Sequence, residues 1–510
     1  MDMRCLRENI QMERRVGSGV SQAVVEGEIT LPGGLREEAR VLHTGGMVVV
    51  EHAECAVDRA TVTGRVVFHA LYTQGDPGRV CAMEATADFT HVMELPGAQP
   101  KMLCRAEAEV EHTDAATSGG RLMLRAVLRI CARVSSQQPV SALTGIADAQ
   151  GLQVRTQQLT VKRTVASGAG ETLLREEFPL PAGLQVRETL CGRAIVRTGE
   201  ITGGMGRAGV GGTVQLEIYH ASDMPGKPLV ITRHTVPFLH AVELTGEDGA
   251  ILDGSACVKD VAVASQESAD GERTLRAEVL LGVNAWADCT DSLTLLQDGY
   301  TTCGDALSLT RQEVCFRVDD TRVQTAESGK CMLMLPEGSP AARTVLCAFA
   351  SPHVTGREQV GGRLTVEGML EITLLYMTDD SPAPVSLYQE EPFRITFAAE
   401  AGEEDPISLT VCDAEATAIT SDRVELKYVM HLTSCGTRIG TALLVTDAAP
   451  VTAPEPVHGM ILCFPQPGET LWDVARRYRV PVEQLKTMNP GAEDAASRRG
   501  VVIWRRESDA

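Results

Sequence analysis

The chain has 510 residues, 44% of them hydrophobic but only 4% aromatic, and a formal net charge of −21. That length is too great for a single hydrophobic core, while the apolar content suffices for several. The acidic balance and the scarcity of rings argue against nucleic acid, which requires a basic stripe and stacking platforms.

From Met1 to Gly17 the N-terminus carries charges throughout and no apolar run, so no signal peptide is expected. No window approaches the ~20 apolar residues of a membrane-spanning helix. The fifteen cysteines include no CxxC pair and no zinc-ligand spacing. They read as small packed hydrophobes or as cross-linking thiols. Together these features point to the cytoplasm, and neither a metal nor a cofactor is expected.

Three similar tracts come next, at 22–135, 172–290 and 326–448. Each opens on a Leu-Pro step: Leu31-Pro32, Leu180-Pro181 and Leu335-Pro336. About thirty residues later a glycine starts a run that ends on tyrosine eight residues on. The pairs are Gly64 and Tyr72, Gly211 and Tyr219, and Gly368 and Tyr376. Turn-forming Asp, Gly and Pro come after, then strands starting at Phe89, Phe238 and Phe393. Apolar alternation from Arg121, Arg273 and Arg423 closes each tract. The pattern predicts a mainly β chain with three tandem β-sandwich or barrel-like repeats. Residues 136–171 and 291–325 read as connecting strands packed on those repeats.

Gly204, Gly206 and Gly209 spell GxGxxG, but more glycines and a strand come after them where a dinucleotide site needs a helix. His234 and His240 lack the spacing of a helical metal motif. No catalytic residue is nominated, and an enzyme is not expected.

After the Pro-rich stretch 450–456 the pattern changes. Gly459–Phe464 reads as a strand and Gln466–Gly468 as a turn, and Thr470 with Asp473 forms a capping box. Leu471, Val474, Ala475 and Tyr478 define one apolar helix face. Val480-Pro481 opens a second helix that stops at Asn489-Pro490-Gly491, and 501–503 closes as a strand. Arg476, Arg477 and Arg479 form a basic patch, either a solvated helix face or a surface facing an acidic partner.

The Gly-Glu-Thr-Leu-Trp run from Gly468, the Ala-Arg-Arg-Tyr-Arg-Val run from Ala475 and the Asn489-Pro490 step resemble the LysM domain. The resemblance implies a βααβ domain over 457–505 with a groove for N-acetylglucosamine glycans such as peptidoglycan. By that likeness the groove uses Gly468, Glu469, Thr470 and Leu471, with Asn489, Pro490 and Gly491 opposite. Trp504 stands where the family usually has proline, and the second loop is charged; a protein ligand is the alternative.

Three β repeats followed by one LysM resemble the SPOCS-domain proteins of endospore-forming bacteria. That resemblance implies a non-enzymatic scaffold of the spore coat, in the mother-cell cytoplasm and gathered at the forespore surface. Its LysM would dock onto a coat morphogenetic protein, the ATPase SpoIVA. A glycan-binding protein of the cell wall or cortex is the other reading.

Overall fold

The structure, a computed structural model, describes residues 3–30, 40–74, 79–181, 183–204, 206–244, 250–267, 273–400, 402, 405–452, 458–490 and 500–505. Eighteen long strands form three modules of six. Module 1 holds β1 (Arg4–Thr30), β2 (Arg40–Ala56), β3 (Arg59–Thr73), β4 (Val80–Glu94), β5 (Leu103–Ser118) and β6 (Arg121–Ala147). Module 2 holds β7 (Leu152–Pro179), β8 (Val186–Gly204), β9 (Arg207–Met224), β10 (Lys227–Glu243), β11 (Ile251–Glu267) and β12 (Arg273–Thr301). Module 3 holds β13 (Ala306–Met334), β14 (Thr344–Val360), β15 (Arg363–Met377), β16 (Val385–Ala398), β17 (Ile407–Thr420) and β18 (Arg423–Val451).

Each module is two three-stranded antiparallel sheets facing one another. In module 1 the sheets are β1-β6-β5 and β2-β3-β4, and the other modules repeat that order. Side chains alternate across the pleat, so Leu122, Leu124, Ala126, Leu128 and Ile130 of β6 all enter the core while Arg121, Met123 and Arg125 stay outside. The GxGxxG segment lies where β8 turns into β9, a strand-to-strand hairpin with no helix.

The repeat is anchored by one cross-strand pair. Gly64 stands opposite Phe89, Gly212 opposite Phe238, and Gly368 opposite Phe393. A Cβ at these glycines would lie 2.2, 2.1 and 2.0 Å from the carbonyl oxygens of Val49, Arg197 and His353. The phenylalanine ring covers the other side, so only glycine fits. This pairing moves the expected landmark of module 2 from Gly211 to Gly212. The residue eight places on is then His220, the counterpart of Tyr72 and Tyr376. Tyr219 faces the opposite way, because a shift of one residue exchanges the faces of a strand.

The modules close around a common axis. Residues 136–171 and 291–325, expected as connecting strands, are largely the outer halves of β6, β7, β12 and β13. With the outer halves of β1 and β18 they form three two-stranded ribbons that pack together as a trunk. The strands therefore reach past the intervals 22–135, 172–290 and 326–448. Each module gives the trunk core three buried residues: Ile10, Met12 and Ala142; Leu159, Val161 and Leu295; Val314, Phe316 and Leu444.

A second shared core joins the smaller sheets. It takes Leu42, Leu71 and Val80 from module 1, Cys191, Tyr219 and Leu229 from module 2, and Cys347, Phe349 and Leu375 from module 3. Bulges place Leu42, Leu190 and Leu346 at or against this core. His43, Cys191 and Cys347 occupy equivalent positions here, yet no group of three potential ligands among the described residues could hold a metal ion.

Polar seams complete the ring. His112 pairs with Glu371 at 2.8 Å between modules 1 and 3, and Arg65 donates to the Lys259 carbonyl at 3.5 Å between modules 1 and 2. Gln215 donates to Asp413 at 2.6 Å, and Arg233 to the Ala414 carbonyl at 3.0 Å, between modules 2 and 3.

At the neck of the trunk sits a buried ionic cluster. Arg317 of β13 donates to Glu13 of β1 at 3.1 Å, to Thr164 of β7 at 2.9 Å, to Asp288 of β12 at 2.5 Å, and to Asp320. Lys162 approaches Asp288 at 3.8 Å and Asp320 at 3.3 Å. Burial opposes the charge on Arg317, but its bond to Asp320 and the charges of Asp288 and Glu13 outweigh this and raise its pKa. A cavity of about 610 Å³ lies between the turns at 225–227 and 377–382, and none of its lining residues belongs to this cluster.

Arg317→Met leaves the buried carboxylates of Glu13 and Asp288 without their guanidinium, with Lys162 as the remaining cation beside Asp288 and Asp320. It is expected to destabilise the chain by about 3–5 kcal/mol, read as a lowered urea midpoint; an unchanged midpoint would contradict the role given to the cluster.

Two histidines tie stability to pH. His43 stacks on Phe349 across the module 1–3 seam at 3.7 Å, and burial, with nearby Arg193, lowers its pKa to about 3. His220 is fully buried between the Thr189 and Thr232 hydroxyls, and burial lowers its pKa to about 4. Between those values and 6.5 the unfolded chain binds more protons than the folded one. Stability therefore falls as pH drops from 6.5, by up to about 1.4 kcal/mol per pH unit for each histidine. A His220→Gln variant should show a shallower decline from pH 6.5 to 4 in urea titrations.

Candidate binding site

The C-terminal domain pairs β19 (Gly459–Cys463) with β20 (Val501–Arg505), with α1 (Leu471–Tyr478) and α2 (Val482–Met488) between them in sequence. Thr470 caps α1: its hydroxyl accepts from the Asp473 N–H, and its own N–H donates to the Asp473 carboxylate at 2.8 Å. Arg479 ends the helix in the left-handed region, at φ 52°, where a short C-cap satisfies the last carbonyls. Leu471, Val474, Ala475, Val480, Leu485, Cys463, Val501 and Ile503 fill its core.

The loop residues named from sequence fall into distinct roles. Gly468 turns the chain at φ 88°, and Glu469 accepts from the Gln466 N–H at 2.8 Å and pairs with Arg477. Leu471 is buried. The Asn489 side chain donates to the Leu485 and Val502 carbonyls at 2.9 and 2.8 Å and accepts from the Val502 N–H at 2.7 Å, fastening α2 to β20. Pro490 follows it, and Gly491 lies outside the described residues.

The arginine patch is engaged within the chain. Asp298, buried near the end of β12, accepts from Arg476 and from the Trp472 indole N–H, both at 2.8 Å, and from Arg311 at 2.6 Å. Arg479 donates to the Thr301 carbonyl at 2.9 Å and the Gly304 carbonyl at 2.6 Å, and Arg505 donates to the Thr302 carbonyl at 2.7 Å. Tyr300 enters the domain's core and donates to the Val480 carbonyl at 2.8 Å, its ring edge-on to Trp472 at 5.2 Å. Burial and the Asp298 charge raise the Tyr300 pKa, keeping the hydroxyl a donor. The domain is thereby docked on the trunk's end.

Sequence reasoning found none of Asp298, Tyr300 or Thr301, because nothing local distinguishes the end of one strand among many. The outward face of β19–β20 is apolar: Met460 is 71% exposed, Leu462 58%, Phe464 68% and Trp504 43%.

Asp298→Ala removes the shared acceptor for Arg311, Trp472 and Arg476. The loss of charge-assisted bonds of about 1.5–3 kcal/mol should speed amide exchange in α1 about tenfold or more and shift Trp472 emission. Unaltered exchange would contradict the docked arrangement.

No helix among the described residues is long and apolar enough to cross a membrane. The family described as SipL, SPOCS domain matches residues 39–117, which lie within module 1, and the LysM domain family matches 466–495. No curated protein and no solved structure matches the chain. Both matched families are binding or scaffold domains without catalytic machinery, one tied to sporulation and the other to glycan binding. The chain thus combines a SPOCS domain of the SipL kind with a C-terminal LysM domain.

Proposed function

We propose that the protein is a non-enzymatic scaffold of spore-envelope assembly. In this reading it works in the mother-cell cytoplasm and gathers at the forespore surface by docking its LysM domain onto a coat morphogenetic ATPase of the SpoIVA kind. The observation that carries the reading is the placement of the LysM domain. Its α1 face is committed to the trunk through Asp298 and Tyr300, which leaves the 466–470 turn and the apolar β19–β20 face directed outward. Exposed apolar surface with aromatic residues suits a protein partner.

Binding to N-acetylglucosamine glycans of peptidoglycan is the second reading, favoured by the LysM match itself. The division of labour proposed is a rigid body of three modules with a single gripping domain at one end.

Fused to a fluorescent protein, the chain is expected to ring the forespore in sporulating cells, and removal of 456–510 should disperse that ring. A uniform signal from the full chain would overturn the proposal. Retention on purified cell wall, lost with the same truncation, would favour the glycan reading.

A further inference from the structure

The cavity of about 610 Å³ between modules 2 and 3 is walled by the β9–β10 turn, the β15–β16 turn and the start of β14. It begins where the shared core of the smaller sheets ends. Leu229 and Leu375 belong to that core, and Lys227 and Met377, each two residues away, line the cavity. None of the lining residues belongs to the trunk ribbons or to the LysM domain.

One lining side chain is left unsatisfied. Thr378 is only 5% exposed, yet its hydroxyl has no hydrogen-bond partner. The equivalent residues of the other modules, two places beyond Tyr72 and His220, are both engaged. Gln74 accepts from the Tyr72 hydroxyl at 3.5 Å, and the Ser222 hydroxyl accepts from the Met224 N–H at 3.1 Å. A buried hydroxyl without a partner is costly, and at a cavity wall it can be satisfied by what enters.

The charges around the cavity balance. Two cations, Lys227 and Arg343, and two anions, Asp379 and Asp380, line it. Arg343 pairs with Asp379 at 3.1 Å, both well exposed. Lys227 on the module 2 turn and Asp380 on the module 3 turn have no ion pair among the described residues. One ammonium and one carboxylate, supplied by different modules, are therefore open to a ligand. The zero net charge disfavours a polyanion. The lining has no aromatic ring, so a nucleobase would find no surface to stack on.

We infer that this cavity binds a short peptide with free ends. The peptide's carboxylate pairs with Lys227, its ammonium with Asp380, and an amide between them meets the Thr378 hydroxyl. The volume lies within the roughly 300–1,000 Å³ of small-ligand sites. Exposed charges hold a ligand weakly, so affinity is in the millimolar range. Occupancy would link the turns of modules 2 and 3 at a place remote in sequence from the LysM dock.

The test is saturation-transfer NMR of trialanine against the full chain. Transfer to the alanine methyls is expected, and trialanine acetylated at its N-terminus and amidated at its C-terminus should bind at least about fivefold more weakly, since it lacks both charges. Lys227→Gln and Asp380→Asn should each weaken trialanine to a similar degree. Thr378→Val keeps the side chain's shape, so it should weaken trialanine while leaving the urea midpoint unchanged or raised, because the hydroxyl it removes has no partner in the free chain. Absence of transfer, equal binding of the blocked peptide, or binding undiminished in all three variants would overturn the inference.

Discussion

The structure depends on one arginine. Arg317 reaches out of module 3 to a carboxylate of module 1, a carboxylate and a hydroxyl of module 2, and an aspartate of its own strand. A guanidinium presents five donors in a fixed plane, so it can satisfy several acceptors that no single lysine could. Buried ion clusters add little net stability over apolar packing, but an incomplete one is costly. The cluster is therefore satisfied only when all three modules have taken their places.

The consequence is a closed ring in place of a string of beads. Two apolar cores lie on the common axis, each receiving three residues from every module. Between them the ionic cluster fixes the register of the trunk ribbons. The same closure gives the chain one trunk end, formed by the β12–β13 connection among others, and it is there that the LysM domain is held by Asp298, Tyr300 and the carbonyls of 301–304. A domain attached through side chains from its first helix keeps a defined orientation, which a Pro-rich linker alone would not supply.

Much of this is legible in the sequence for physical reasons. Alternation with turn residues marks strands, and the glycine facing a phenylalanine recurs because a carbonyl oxygen of the neighbouring strand leaves no room for a Cβ. The tyrosine landmark of module 2 falls one residue out, since Gly211 and Gly212 are indistinguishable until their cross-strand partners are known. The LysM elements are legible because caps, turns and helix faces are local signals. The trunk is not, because its three ribbons are brought together by contacts hundreds of residues apart. Arg317 looks like any strand arginine in sequence, and Arg476 and Arg479 give no sign that their partners lie in the chain itself.

Scanning calorimetry of the full chain tests the central claim most directly. If the modules share their cores, they unfold together, with one main transition whose calorimetric and van't Hoff enthalpies both correspond to a three-module unit. Three separable transitions, each with the enthalpy of a single module, would contradict a ring held by common cores.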